Sequence, residues 1–164
     1  MQNISHMCMV CGAQNPYGLQ GRFYELDAKE GEPPELLGVF TVRDEHQSYP
    51  GRLHGGISSA ILDETIGRAI RITRPDDWGV TVELTVRYRK PVPTEGEVRA
   101  VGRITKDSRR LFEGTGEILL EDGTVAVEAR GRYVKLGIEA IAGDEFDLSQ
   151  WVPDERERPD EVEL

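Results

Sequence analysis

The chain has 164 residues, 38% of them hydrophobic and 30% charged, with a formal net charge of −10. That length suits one domain with a core of its own. The acidic balance argues against a general nucleic-acid binder, because a polyanion needs a broad basic surface, but a few local arginines can still hold a small phosphorylated ligand. No apolar run reaches the roughly 18 residues a spanning helix needs. Met1-Gln2-Asn3-Ile4-Ser5-His6-Met7 has neither the basic start nor the apolar stretch of a secretory signal, so a cytoplasmic location is expected.

Residues 1–20 read as an N-terminal loop. It carries the only two cysteines, in Cys8-Met9-Val10-Cys11-Gly12. A structural zinc site needs about four ligands, so this pair would require His6 or a second subunit. A redox pair at this spacing normally opens a helix. Ordinary reduced thiols in a loop are the third reading, favoured by the turn residues Gly12, Pro16 and Gly18 that follow. Residues 21–27 and 36–43 are expected strands, separated by a polar connector through Pro33-Pro34, and residues 44–53 should be irregular around Pro50-Gly51. From 55 to about 72 the period changes: Ile57, Ala60, Ile61, Ile66, Ala69 and Ile70 recur at helical spacing, and few positions are strongly polar. Such a helix is buried on most sides.

Four more strands are predicted. Residues 81–89 alternate, with Val82, Leu84, Val86 and Tyr88 on one face and Glu83, Thr85, Arg87 and Arg89 on the other. Residues 96–105 follow, then 111–120 and 124–134, joined by the hairpin signal Glu121-Asp122-Gly123. The order implies an α+β domain over residues 21–136, in which a curved antiparallel sheet wraps around one long helix. Residues 137–164 form an acidic tail, expected to be disordered from 154 onward, with Phe146 and Trp151 as candidate anchors.

The most informative stretch opens the helix: His54-Gly55-Gly56, then Asp63 and Glu64. Two glycines leave the first amides of a helix uncovered, with the positive end of its dipole behind them. Such amides can polarise a carbonyl. Asp63 lies in the body of the same helix, where a carboxylate is costly unless it is paired or used. At ~1.5 Å per residue, Gly55 and Asp63 are ~12 Å apart along the axis, so one carbonyl cannot touch both within one chain. Two antiparallel copies could bring one chain's Asp63 to the other's Gly55, which asks for a homodimer, with a tetramer as a further option. Glu64 is the rival base, turned about 100° away around the helix.

With these motifs the sequence resembles the phenylacetic-acid-type hotdog thioesterases from about residue 8 to residue 134. The resemblance rests on Cys8-Met9-Val10-Cys11-Gly12 with Asn15-Pro16-Tyr17-Gly18-Leu19, on His54-Gly55-Gly56 with Asp63, and on Thr81-Val82-Glu83-Leu84-Thr85-Val86-Arg87-Tyr88-Arg89-Lys90-Pro91-Val92-Pro93. It implies a hotdog fold and hydrolysis of a medium-chain or aryl acyl-CoA. Asp63 would activate water or attack the thioester, the Gly55 amide would bind the thioester oxygen, Thr81 would help hold the water, and His54 would support the loop. Gly56, Gln47 and Ser48 would border the substrate; Ser48 stands where many relatives carry an Asn. Arg87, Arg89, Lys90, Arg99, Arg109 and Arg110 are the candidate phosphate contacts. The resemblance implies no cofactor and no metal, since coenzyme A belongs to the substrate. The alternative from another class is a regulatory hotdog protein that binds acyl-CoA without turnover.

Overall fold

The computed structural model describes residues 1–28, 30–143, 148–156 and 162, with only the backbone at Leu148. Strands β1 (Ile4–Ser5), β2 (Arg22–Glu25) and β3 (Glu35–Thr41) precede helix α1 (Gly55–Ala69), which a 3-10 turn, Ile70–Ile72, prolongs. Strands β4 (Trp78–Tyr88), β5 (Glu97–Asp107), β6 (Leu111–Leu119) and β7 (Val125–Leu136) follow, then a short helix α2 (Ile138–Ala142) and strand β8 (Trp151–Val152). Six strands form one antiparallel sheet in the order β2-β3-β5-β6-β7-β4. The α+β expectation holds, and the sheet wraps around α1. No helix among the described residues is long and apolar enough to cross a membrane.

The helix is buried for the reason its composition gives. Only Gly56 of its fifteen residues is exposed. Ile61, Leu62 and Ile66 are fully buried in one cluster with Phe40, Phe112, Ile118 and Val127 from the sheet. Each such side chain contributes about 1.5–3 kcal/mol by leaving water. At Gly102 on β5 an added Cβ would lie 2.8 Å from the Thr65 carbonyl oxygen. Glycine there lets helix and strand backbones approach directly. On the other face of the sheet a smaller cluster, Tyr24, Leu37, Val39 and Val101, is buried beneath Met1 and Leu26.

Three features differ from the sequence-based expectation. The strand expected over residues 81–89 is β4, at the sheet edge beside β7. That strand begins at Trp78 and carries a bulge between Thr81 and Glu83, so Val82 is 54% exposed and does not share an inward face with Leu84. The N-terminal segment is not only loop: Ile4 and Ser5 pair with Val152 and Trp151. Within 154–164, Arg156 forks onto Asp154 and donates to the Gln20 and Gly21 carbonyls at 2.7 and 3.0 Å. Phe146, residues 157–161 and residues 163–164, on which the expectation for the tail also falls, lie outside the described residues.

Candidate active site

The bulge in β4 gives the site its shape. Simple alternation would put Thr81 on the outer face with Glu83. The extra residue, Val82, turns Thr81 onto the helix side, opposite Tyr133 of β7. There the Thr81 hydroxyl donates to Asp63 Oδ1 at 2.8 Å, and the Tyr133 hydroxyl lies 3.2 Å from the same oxygen and 3.1 Å from the Asp63 carbonyl. Both hydroxyls address one carboxylate oxygen, and Oδ2 has no protein donor among the described residues. Asp63 is half-buried. Burial raises its pKa above the ordinary carboxylate value, against the two hydroxyl bonds that lower it, and nearby Glu64 adds to the rise. That combination suits a base that must hold a proton briefly. The cavity beside it, about 210 Å³, is lined by Gly67, Arg68, Arg71, Trp78, Tyr133 and Trp151 as well as Asp63 and Thr81.

Glu64 is not equivalent. Arg68 holds its carboxylate at 2.6 Å one helical turn on, so Glu64 is already committed as an ion-pair partner. The rival base is therefore occupied.

At the other end of the helix, His54 is the N-cap. Its Nδ1 accepts the Gly56 N–H at 2.9 Å, which assigns this imidazole a capping role. The Gly55 N–H is the first of the helix and has no partner in the helical ladder. A Cβ at Gly55 would meet the Tyr88 ring at 3.4–3.5 Å, an ordinary contact, so packing within the chain does not demand glycine here. The Tyr88 hydroxyl donates to the Gly55 carbonyl at 2.8 Å and lies 2.7 Å from the Ser59 hydroxyl. Gln47 and Ser48 sit exposed in the tight loop before the helix: Gln47 Oε1 accepts from Gly51 N–H, and Ser48 N–H donates to the Arg52 carbonyl. The buried His46 pins this loop, with Nε2 2.9 Å from the Tyr17 carbonyl oxygen and its own carbonyl accepting from His54 N–H.

The six candidate phosphate contacts do not form one cluster. Arg87 and Arg89 face Glu128, Arg87 at 3.6 Å and Arg89 through two bonds of 2.9 and 2.7 Å. With Lys90 they lie at the Gly55 end of β4. Arg109 and Arg110 occupy the turn between β5 and β6, where Lys135 N–H donates to the Arg110 carbonyl. That turn lies at the opposite end of the sheet, about 30 Å along the strands at ~3.3 Å per residue. Arg99 lies on β5, three strands away from β4.

Sequence reasoning missed Tyr133, Tyr88 and His46. Tyr133 is 1% exposed, and a tyrosine buried that deeply needs a hydroxyl partner. Only the register, which puts it opposite Thr81, reveals which one.

Among the described residues one group has metal-ligand chemistry: Cys8, Cys11 and Glu64, with their donor atoms within 4.8 Å of one another. The Arg68 guanidinium already occupies it, donating to Glu64 and, at 3.1 Å, to Cys11 Sγ. A fixed buried cation on two of three ligands does not fit a divalent ion.

Comparison with known proteins agrees with this architecture. Residues 50–127 match the model of the Thioesterase superfamily, a span that includes Gly55, Asp63 and Thr81. Mouse acyl-coenzyme A thioesterase 13 is 26% identical over 103 residues, covering 63% of this chain and 73% of its own length. A thioesterase from Haemophilus influenzae superposes with a TM-score of 0.65 at 18% identity, over 78% of this chain and 86% of its own. A Bacillus halodurans protein solved with CoA superposes at 0.56 and 24% identity, over 61% and 66%. The sheet wrapped on α1 is thus a hotdog fold, and residues 50–127 carry a similarity to the Thioesterase superfamily.

Proposed function

We propose that the protein hydrolyses acyl-CoA thioesters at a site shared by two copies of the chain. The observation that carries this reading is the half-buried Asp63 carboxylate, fixed through one oxygen by Thr81 and Tyr133 and open at the other. Water attacks the thioester carbonyl carbon while Asp63 Oδ2 takes its proton. The carbonyl oxygen, now negative, is held by the Gly55 amide of the partner copy. The C–S bond then breaks, and the proton on Asp63 neutralises the departing CoA thiolate. The Thr81 hydroxyl, already donating to Asp63, can accept from the same water and aim it. A carboxylate attacking as nucleophile uses the same groups in another order.

The need for two copies follows from the helix: Gly55 and Asp63 lie on one unbroken α1, ~12 Å apart along its axis. Strand β4 is a sheet edge with Val82 and Tyr88 more than half exposed, the kind of edge that pairs with another chain. In an antiparallel pair, Arg87, Arg89 and Lys90 of one copy approach Arg109 and Arg110 of the other, so cations 30 Å apart in one chain become neighbours. Arg99 stays apart from that group. The Bacillus halodurans protein of the same fold was solved with CoA. The cavity at Asp63 is smaller than the ~300–1,000 Å³ of typical ligand sites, so it fits an acyl group and not the nucleotide. Its Trp78, Trp151 and Tyr133 rings support an aryl or medium-chain acyl group, beside the charged Arg68, Arg71 and Asp77 that also line it.

The test is thiol release from a panel of acyl-CoAs, run with mixed subunits. Asp63→Asn and Gly55→Pro copies should each be inactive alone, and their refolded mixture should recover turnover because one of its two sites is intact. Proline is tolerated at the first helical position, so Gly55→Pro removes the amide at little cost to the fold. Tight acyl-CoA binding without thiol release by the wild type would favour a regulatory binding protein.

A further inference from the structure

The N-terminal turn holds chemistry that the thioester site does not use. Cys8 Sγ accepts two backbone N–H groups, from Val10 at 3.3 Å and Cys11 at 3.4 Å. The turn closes with Gly12 N–H on the Cys8 carbonyl at 2.9 Å, where a Cβ would lie 2.4 Å from that carbonyl oxygen. The two cysteines are unequal. Cys8 is half-buried, whereas Cys11 is 1% exposed. Cys11 Sγ receives Arg68 Nη2 at 3.1 Å, and Arg68 is itself buried between the Phe23 and Trp151 rings. One sulfur is thus reachable and stabilised as an anion by two amides. The other lies beside a permanent cation and behind the first.

We propose that Cys8 and Cys11 form a thiol–disulfide exchange site that takes small disulfides, with Cys8 as the attacking thiolate and Cys11 as the resolving thiol. A thioredoxin-like pair places its nucleophile at a helix start; here the turn amides of Val10 and Cys11 supply the same donors. The Cys8 thiolate attacks one sulfur of RSSR, the RS–SR bond breaks, and a thiolate leaves, forming a mixed disulfide on Cys8. The Cys11 thiol then gives its proton to the departed thiolate, attacks the Cys8 sulfur and expels the second RS⁻, which takes a proton from water. The dithiol and RSSR become an internal disulfide and two RSH, with two electrons passed to the small disulfide. The sulfurs, within 4.8 Å of one another, must close to ~2.05 Å, a movement carried by the Met9-Val10 turn. The closeness of the two sulfurs lowers the pKa of Cys8 and raises that of Cys11, with burial adding to the rise and the Arg68 guanidinium opposing it. Arg68 argues against a metal in this place, since its guanidinium is boxed in by two rings and cannot retreat from an incoming cation.

The test uses the full reduced chain in graded mixtures of reduced and oxidised glutathione, acid-quenched and weighed intact. The wild type should lose two hydrogens, Cys11→Ala should accumulate one glutathione adduct on Cys8, and Cys8→Ala should acquire none. A limiting alkylating agent should label Cys8 at least ~10-fold faster than Cys11 in the wild type, a measurement that needs no variant to fold. Equal labelling rates, a glutathione adduct on Cys11 in Cys8→Ala, or stoichiometric zinc that shields both thiols until chelated would each overturn the assignment.

Discussion

The two faces of β4 handle charge in opposite ways. On the helix side a single carboxylate, Asp63, is half-buried and tied to Thr81 and Tyr133. On the outer side Arg87 and Arg89 share Glu128, and Arg132 lies between Glu83 and Glu113, with the arginines exposed and Glu128 and Glu113 half-buried. A charge drawn out of water depends on each partner it keeps, whereas exposed pairs are screened and exchange freely. The inner face should therefore punish every change, and the outer face should yield to a competing anion such as a phosphate.

The largest effect should come from Asp63→Asn, which we expect to lower turnover at least ~10²-fold, the scale of a positioned acid–base group. The fold should survive. Burial raises the Asp63 pKa above its unfolded value, so the protonated form is the one the fold prefers. That preference is fully present below the unfolded pKa and is lost as pH rises through the folded one, leaving ionised Asp63 a net cost at neutral pH. Asn carries no such cost. Thermal melts at neutral pH should put Asp63→Asn at or above wild type, with the wild type gaining on it as the medium is acidified. Turnover should fall with acidification at a pH above the ordinary aspartate range. A variant that melts lower at neutral pH, or one that still turns over while Glu64→Gln is dead, would reverse the contrast between the two acids.

A smaller loss should follow from disturbing the carboxylate's partners. Tyr133→Phe removes one hydrogen bond to a charged group, so turnover should drop roughly 10-fold. Gly131→Ala should act through the same hydroxyl. A Cβ at Gly131 would lie 2.5 Å from the Tyr133 Oη, forcing the ring away from Asp63. The two changes together should cost no more than the larger alone, because they break one contact. Additive losses would mean that Gly131 matters for packing alone.

Much of this was legible in the sequence. The helix from Gly55, the acid at Asp63, the hydroxyl at Thr81 and six of the strands follow from periodicity, turn residues and one resemblance. What could not be read is what depends on pairing across the sheet. Simple alternation points Thr81 outward until the bulge at Val82 is known, because a one-residue slip exchanges the two faces of a strand. Tyr133 is one aromatic among several until the register puts it opposite Thr81. Arg89 looks like a free cation because Glu128, its partner, is 39 residues away in the chain. The pairing of Ile4–Ser5 with Trp151–Val152 joins nearly opposite ends of the sequence, and no local pattern announces it.

The outer face should give the smallest effect and the sharpest discrimination. Arg89 already spends two hydrogen bonds on Glu128, so a CoA phosphate must displace that carboxylate before it gains the guanidinium. The net gain is a difference between two similar ion pairs in water. Arg89→Ala should therefore raise KM for an acyl-CoA only a few-fold and leave kcat within about two-fold, the pattern of lost uniform binding. A short thioester without the nucleotide should be indifferent to the change. Glu128→Gln removes the competitor and should shift KM the other way, lowering it for acyl-CoA and leaving the short thioester untouched. Both shifts should shrink as salt is raised, since attraction between exposed charges is screened over ~8 Å at physiological ionic strength. Steady-state kinetics on the two substrates, at low and high salt, check all four expectations together. If Glu128→Gln raises KM for acyl-CoA, the pair acts as a structural unit and Arg89 is no phosphate ligand. The phosphate contact would then fall to Lys90, Arg99, Arg109 or Arg110.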